Sequence, residues 1–201
     1  MQLKFYSLVK DLQPQTAAFL AATGAGRSVI PASGDSVLTV DLGTSLAVER
    51  VLDQLLKDDS LSAASGLAIE RQGSAFEFIS ARASEVEAVA KQLLKLAGLK
   101  TPAKTAINQP PTLGAVEVIE QLAPLHATLI NRARRGAMVA AGDALLMAEC
   151  QPATLVSKLA NQLEQECPDV LLVDMDSRTG RLVLTGPLAT LRKIQQKSVA
   201  G

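Results

Sequence analysis

Apolar and polar positions along the chain fall into one rhythm, played twice. Residues 2–9 alternate and contain Phe5, Tyr6 and Val9, which predicts a strand. Pro14 suits the first turn of a helix over 14–22. The apolar run Ser36-Val-Leu-Thr-Val40 predicts a strand over 36–41, and Val48, Val51, Leu52 and Leu55 give 45–57 a helical period. Strands over 65–71 and 75–80 read as a hairpin about Gln72-Gly73-Ser74. Ser84 with Glu87 matches a capping box at the head of the next helix. That helix carries one stripe (Val86, Val89, Ala90, Leu93, Ala97) and stops at Gly98. The second pass predicts a strand over 115–120, a helix over 124–133 and a strand over 144–150. A helix over 153–166, a hairpin over 170–185 and a helix over 188–198 complete it.

The two passes share their punctuation. Gly34-Asp35 returns 108 residues later as Gly142-Asp143, Leu12-Gln-Pro14 returns as Leu122-Ala-Pro124, and Gly73 and Gly180 each precede a short apolar run. Self-similarity at this spacing means one supersecondary unit used twice. Residues 1–99 form the first copy, 100–113 a linker carrying three prolines and no period, and 114–201 the second. Each copy reads β-α-β-α-β-β-α, an α+β, ferredoxin-like order in which helices cover one face of a mixed or antiparallel sheet. The other face and the strand edges then need a neighbour, supplied by the other copy or by another chain.

Composition narrows the function classes. Hydrophobic residues make up 48% of the chain but aromatics only 2%, so the core is Leu, Val, Ile and Ala, and base-stacking platforms are scarce. Twenty basic and 20 acidic side chains cancel, which offers a phosphate backbone no overall attraction and lowers self-repulsion between copies. Nucleic acid is therefore not an expected partner. Cys150 and Cys167 make neither a disulfide framework nor metal spacing, and read as free thiols of a reducing cytosol. No apolar run reaches the length of a bilayer span, and the first residues lack a secretory core.

Chemistry-bearing motifs are sparse. Thr23-Gly-Ala-Gly-Arg-Ser28 lacks the P-loop frame and follows a helix, not a strand, so it reads as a plain loop. The single His126 has no acidic or cysteine partner at ligand spacing and reads as an exposed or interface residue. Asp58-Asp59 at a helix end and Asp174 with Asp176 on a hairpin read as surface carboxylates. No catalytic, cofactor or metal site is expected. Arg132-Ala-Arg134-Arg135-Gly136 is the densest basic cluster, suited either to a solvated helix terminus or to acidic residues on a neighbour. Glu70-Arg71 ends an apolar strand just before a turn. It reads as a solvated hairpin tip unless that tip lies on a symmetry axis.

The order of these motifs resembles the permuted tandem-domain, trimeric (BMC-T) shell proteins of bacterial microcompartments, such as carboxysomes. In the first half the likeness rests on Leu12-Gln-Pro-Gln15, Ala17-Ala-Phe-Leu20, Pro31, Gly34-Asp35 and Ile69-Glu70-Arg71. In the second it rests on His126 to Arg132, Arg135-Gly136-Ala-Met138, Gly142, Glu149, Pro152 and Gly180-Arg181-Leu182. It spans Leu3 to Ile194. The resemblance implies two circularly permuted BMC domains per chain. Three chains would close into a pseudo-hexameric tile of a microcompartment shell in the cytoplasm. Two such trimers stacked, and other shell proteins, are the implied partners.

It also implies a central pore gated by Glu70 and Arg71, with Gln72 and Gly73 at the pore loop, and an assembly interface at Asn131, Arg132 and Arg135. Three arginines about 6 Å apart repel by roughly 1–3 kcal/mol per pair at an effective dielectric of 20–80. A neighbouring glutamate offsets this and holds either of two positions, so a ligand with a small differential affinity shifts the populations. Small anionic metabolites are the expected cargo. Two departures stand out. The loop after Glu70-Arg71 is one residue shorter than the family pattern, and Met175-Asp-Ser-Arg-Thr179 replaces a small-apolar run. The alternative reading is a duplicated ferredoxin-like regulatory protein that binds a small ligand.

Overall fold

The computed structural model describes residues 5–23, 30–41, 46–57, 68–72, 75–98 and 110–199. The phosphate-cradle motif after Thr23, Asp58-Asp59, Gly73, Leu99 and residues 100–109 of the linker lie outside the described residues. Strands β1 (Phe5–Val9), β2 (Ser36–Asp41), β3 (Ala68–Gln72) and β4 (Ala75–Ser80) make one sheet in the order β1-β2-β4-β3. β5 (Thr112–Ile119), β6 (Leu145–Gln151), β7 (Leu171–Asp176) and β8 (Arg181–Thr185) make a second in the matching order β5-β6-β8-β7. Every pairing is antiparallel, which settles the choice the sequence leaves open. The helices are α1 (Pro14–Thr23), α2 (Leu46–Leu56), α3 (Ala83–Leu96), α4 (Pro124–Ala133), α5 (Val156–Glu166) and α6 (Leu188–Val199). β5 starts at Thr112, so the end of the expected linker is already strand. A separate 3-10 turn, Ala153–Leu155, precedes α5 where one continuous helix is expected.

The repeated Gly-Asp pair has a physical reason. Gly34 and Gly142 both sit at φ 89°, a left-handed conformation that glycine enters without the Cβ penalty. Each donates its N–H to a leucine carbonyl, Leu12 or Leu122, at 2.8 Å. Asp35 and Asp143 in turn accept from the backbone N–H groups of Ala32 (2.8 Å) and Ala140 (2.6 Å). The same turn is thus built twice from the same two residues.

The chain forms two compact units, one of Met1–Leu12 with Gly26–Pro110 and one of Gln13–Ala25 with Pro111–Gly201. The units and the sequence copies are not coextensive, because α1 belongs by sequence to the first copy and by packing to the second unit. In the first unit Leu38 and Val40 of β2 and Phe76 and Phe78 of β4 pack under Val48 and Leu55 of α2 and Val86, Val89, Ala90 and Leu93 of α3. The stripe expected on α3 is therefore its buried face, and Gly98 at φ 66° follows its last turn.

The start of α3 differs from expectation. Arg82 occupies the cap position but its side chain caps no backbone N–H, reaching Glu85 at 3.2 Å instead, and Ser84 already lies inside the helix. Ser80 takes over: its hydroxyl accepts from the Arg82 N–H at 3.0 Å and donates to Glu85 at 2.6 Å. Glu87 instead pairs with Lys10, whose ammonium holds the carboxyl below its ordinary pKa.

In the second unit the sheet is covered on both faces. Leu122, Ala127 and Val139 pack with Leu145, Val173 and Val183 on one side. Leu146, Ala148, Leu182 and Leu184 alternate to the other side, where α5 and α6 lie against the sheet. Cys150 and Cys167 are free, and burial pushes the Cys150 thiol up to about 11, which makes it a poor nucleophile at neutral pH.

Candidate functional site

Glu70, Arg71 and Gln72 fall on the last three positions of β3, the edge strand of the first sheet. In register they stand opposite Glu77, Phe76 and Ala75 of β4. A ladder paired up to Gln72 fixes the register of the pair at the end of its strand.

Arg132, in the last turn of α4, is exposed, whereas Arg135 has partners within its own unit. Arg135 lies beyond the end of α4 and meets an acid of its own chain. Its Nε donates to Asp174 Oδ1 at 3.0 Å, its Nη2 donates to the Met175 carbonyl, and its guanidinium lies 5.1 Å from the Phe19 ring centroid. Arg181 donates to the other Asp174 oxygen at 2.9 Å. Asp174, expected on the surface, is only 6% exposed. Set between two guanidinium groups, its carboxyl has a partner on each oxygen, as a buried acid requires. Asn131 clasps Val139 with both amide groups, donating to its carbonyl at 2.7 Å and accepting from its N–H at 3.0 Å. Gly136 and Ala137 then run beside β7, donating to the carbonyls of Val173 (2.9 Å) and Leu172 (2.8 Å). Asn131 and Arg135 thus hold their own unit together, while Arg132 is exposed.

The seat of α1 is the feature that sequence reasoning missed. A helix start leaves its first N–H groups without intrahelical acceptors. Here α5 supplies them. Asn161 accepts from the Gln13 N–H at 2.7 Å, and Glu164 accepts from the Gln15 N–H (2.7 Å), the Thr16 N–H (2.9 Å) and the Thr16 hydroxyl (3.0 Å). The Gln15 amide also bonds the Val170 carbonyl (3.0 Å) and the Leu172 N–H (2.8 Å). An acid at the positive end of a helix dipole adds to these bonds. Glu164→Ala is expected to remove about 1–2 kcal/mol of stability, and to speed hydrogen exchange in α1 before that in α5. Equal exchange in both helices would contradict this anchoring role. The only signal in the sequence was the mismatch between Glu164 and its first-copy counterpart, Leu56.

Among the described residues no group of three or more His, Cys, Asp or Glu side chains can hold a metal ion, and no helix is long and apolar enough to cross a membrane. His126 is half-buried on α4.

Comparison with known proteins agrees with this architecture. The CsoS1D N-terminal domain family matches residues 3–103. Carboxysome shell protein CsoS1D of Prochlorococcus marinus is 30% identical over 92% of this chain and 71% of its own length. Carboxysome shell protein CcmP of Synechococcus elongatus is 27% identical over 92% of this chain and 84% of its own. Among solved structures, the double-ringed trimeric shell protein MSM0271 from the RMM microcompartment superposes with a TM-score of 0.76. It is 28% identical, and the match covers 99% of this chain and 94% of that one. The fused permuted hexameric shell protein MSM0275 from the same microcompartment gives 0.75 at 26% identity, covering 100% and 96%. None of these relatives supports the regulatory-protein alternative. With two matching antiparallel sheets, a doubled Gly-Asp turn and these relatives, the chain belongs to the CsoS1D family of microcompartment shell proteins, structural shell components built from two permuted tandem BMC domains.

Proposed function

We propose that three copies of this chain close into a pseudo-hexameric shell tile whose central pore is lined by the β3–β4 hairpin, with Glu70 and Arg71 as its gate. The observation that carries this reading is the position of the pair. Opposite charges occupy adjacent positions at the end of an edge strand, held in register to within a two-residue connection. The trimeric state of the neighbour MSM0271 supports three-fold closure, and a three-fold axis brings three such hairpins together. The tile is structural and carries no catalysis. Its role is to pass small anionic metabolites through an arginine-rich opening. Stacking of two trimers is compatible with the double ring of the same neighbour.

Cryo-electron microscopy of the purified protein tests the gate. Wild type is expected to give discs with two classes of pore, and Arg71→Ala a single, wider class. Glu70→Ala should leave the arginine ring uncompensated and weight the classes toward the splayed arrangement. If both variants reproduce the wild-type distribution, the pair does not gate the pore.

A further inference from the structure

We propose that α4 docks through Leu125 and Leu129 onto the Leu56 end of α2 in a second copy of this chain, an apolar contact that α1 makes in polar form on α5. The inference deepens the ring reading and rests on it.

The argument starts from the repeat. Leu12-Gln-Pro14 corresponds to Leu122-Ala-Pro124, so Gln15, Thr16 and Phe19 of α1 correspond to Leu125, His126 and Leu129 of α4. The α1 residues are engaged: Gln15 and Thr16 with Glu164, and Phe19 beneath Arg135. Of their α4 counterparts, Leu125 is 72% and Leu129 53% exposed, and His126 between them is half-buried. The surface that receives α1 also has a counterpart. Val156 corresponds to Val48, which sets Asn161 against Asp53 and Glu164 against Leu56. Leu56 is 49% exposed.

Both halves of a docking pair are therefore present and uncovered in one chain, and their chemistry matches. Where α1 offers an amide to a carboxylate, α4 offers a leucine to a leucine. The start of α4 has no side-chain cap, and Asp53 stands where Asn161 caps α1. A carboxylate there suits the helix N-terminus of the incoming copy.

The difference between the two contacts also discriminates. α4 on the α1 seat would bury Glu164 against Leu125, leaving the carboxylate without the Gln15 and Thr16 donors. α1 on the Leu56 site would bury the Gln15 amide against a leucine. Each helix fits one site, so copies join head to tail, the heterologous contact that generates a ring.

Light scattering after size exclusion tests this on the full chain, with circular dichroism reporting folding. Leu125 and Leu56 are exposed, so Leu125→Glu and Leu56→Lys are expected to keep the wild-type spectrum. Wild type should elute at roughly three times the 21.1 kDa chain mass. Each single variant should fall to one chain mass, and the double variant Leu125→Glu/Leu56→Lys should recover the larger species through the new ion pair. The pairing is overturned if either folded single variant keeps the wild-type mass, or if the double variant shows no recovery. Those results leave the shell-tile reading standing as long as wild type is trimeric. A wild type of one chain mass would remove the ring reading itself.

Discussion

Replacing Gly136 with alanine is expected to lower the melting temperature by on the order of 10–20 °C. A Cβ at this position would collide with the Leu172 carbonyl oxygen and stand 2.9 Å from that of Val173. Both are backbone atoms of β7, and neither can turn aside as a flexible side chain could. The segment 136–137 would have to back away from the strand, weakening its two hydrogen bonds to β7. Overpacking together with those bonds amounts to about 3 kcal/mol, and each kcal/mol shifts the midpoint of a unit of this size by about 4–8 °C. Differential scanning calorimetry measures it directly. A shift of only a degree or two would mean that the segment is not held against β7 as described.

The second large effect is expected at Asp174. Asp174→Ala removes the shared acceptor of Arg135 and Arg181 and leaves two guanidinium groups facing each other across an apolar hole. Stripping one partner from a fully buried pair costs about 3–5 kcal/mol. Both arginines are nearly half exposed, and water compensates part of that loss, so about 2–3 kcal/mol is the expected change in urea unfolding. Asp174→Asn should lose less, because the amide oxygen still accepts one bond. Combining Asp174→Ala with Arg135→Met should recover part of the loss, since the double variant no longer strands that cation. Strict additivity of the two changes would mean that Asp174 and Arg135 do not act as a pair.

Much of the fold was legible because glycine, proline and period-specific runs punctuate it. Val86, Val89, Ala90 and Leu93 on α3, and Ser36–Asp41 as β2, follow from local spacing alone. What local spacing could not give were partners far along the chain. Ser84 with Glu87 satisfied the capping pattern, yet Ser80 and Glu85 close the helix start, because a short pattern tolerates a small slip that hydrogen-bond geometry does not. Asp174 looked like a surface carboxylate because its two cations lie 39 residues upstream and seven downstream. The placement of Glu70 and Arg71 at the end of a strand was legible. The convergence on an axis proposed for them was not, since a pore belongs to several chains and not to one.

The exchanged helix bears on how this polypeptide is made. During synthesis α1 leaves the ribosome long before Glu164 and Val170, acceptors that lie 148 to 155 residues further on. Its amide groups stay hydrated until those acceptors have emerged as well. Severing the chain between its repeats would yield a C-terminal half without the helix that its own Glu164 is shaped to hold. Tandem duplication has here become obligatory partnership: one covalent molecule carries two repeats that can no longer be issued as separate parts.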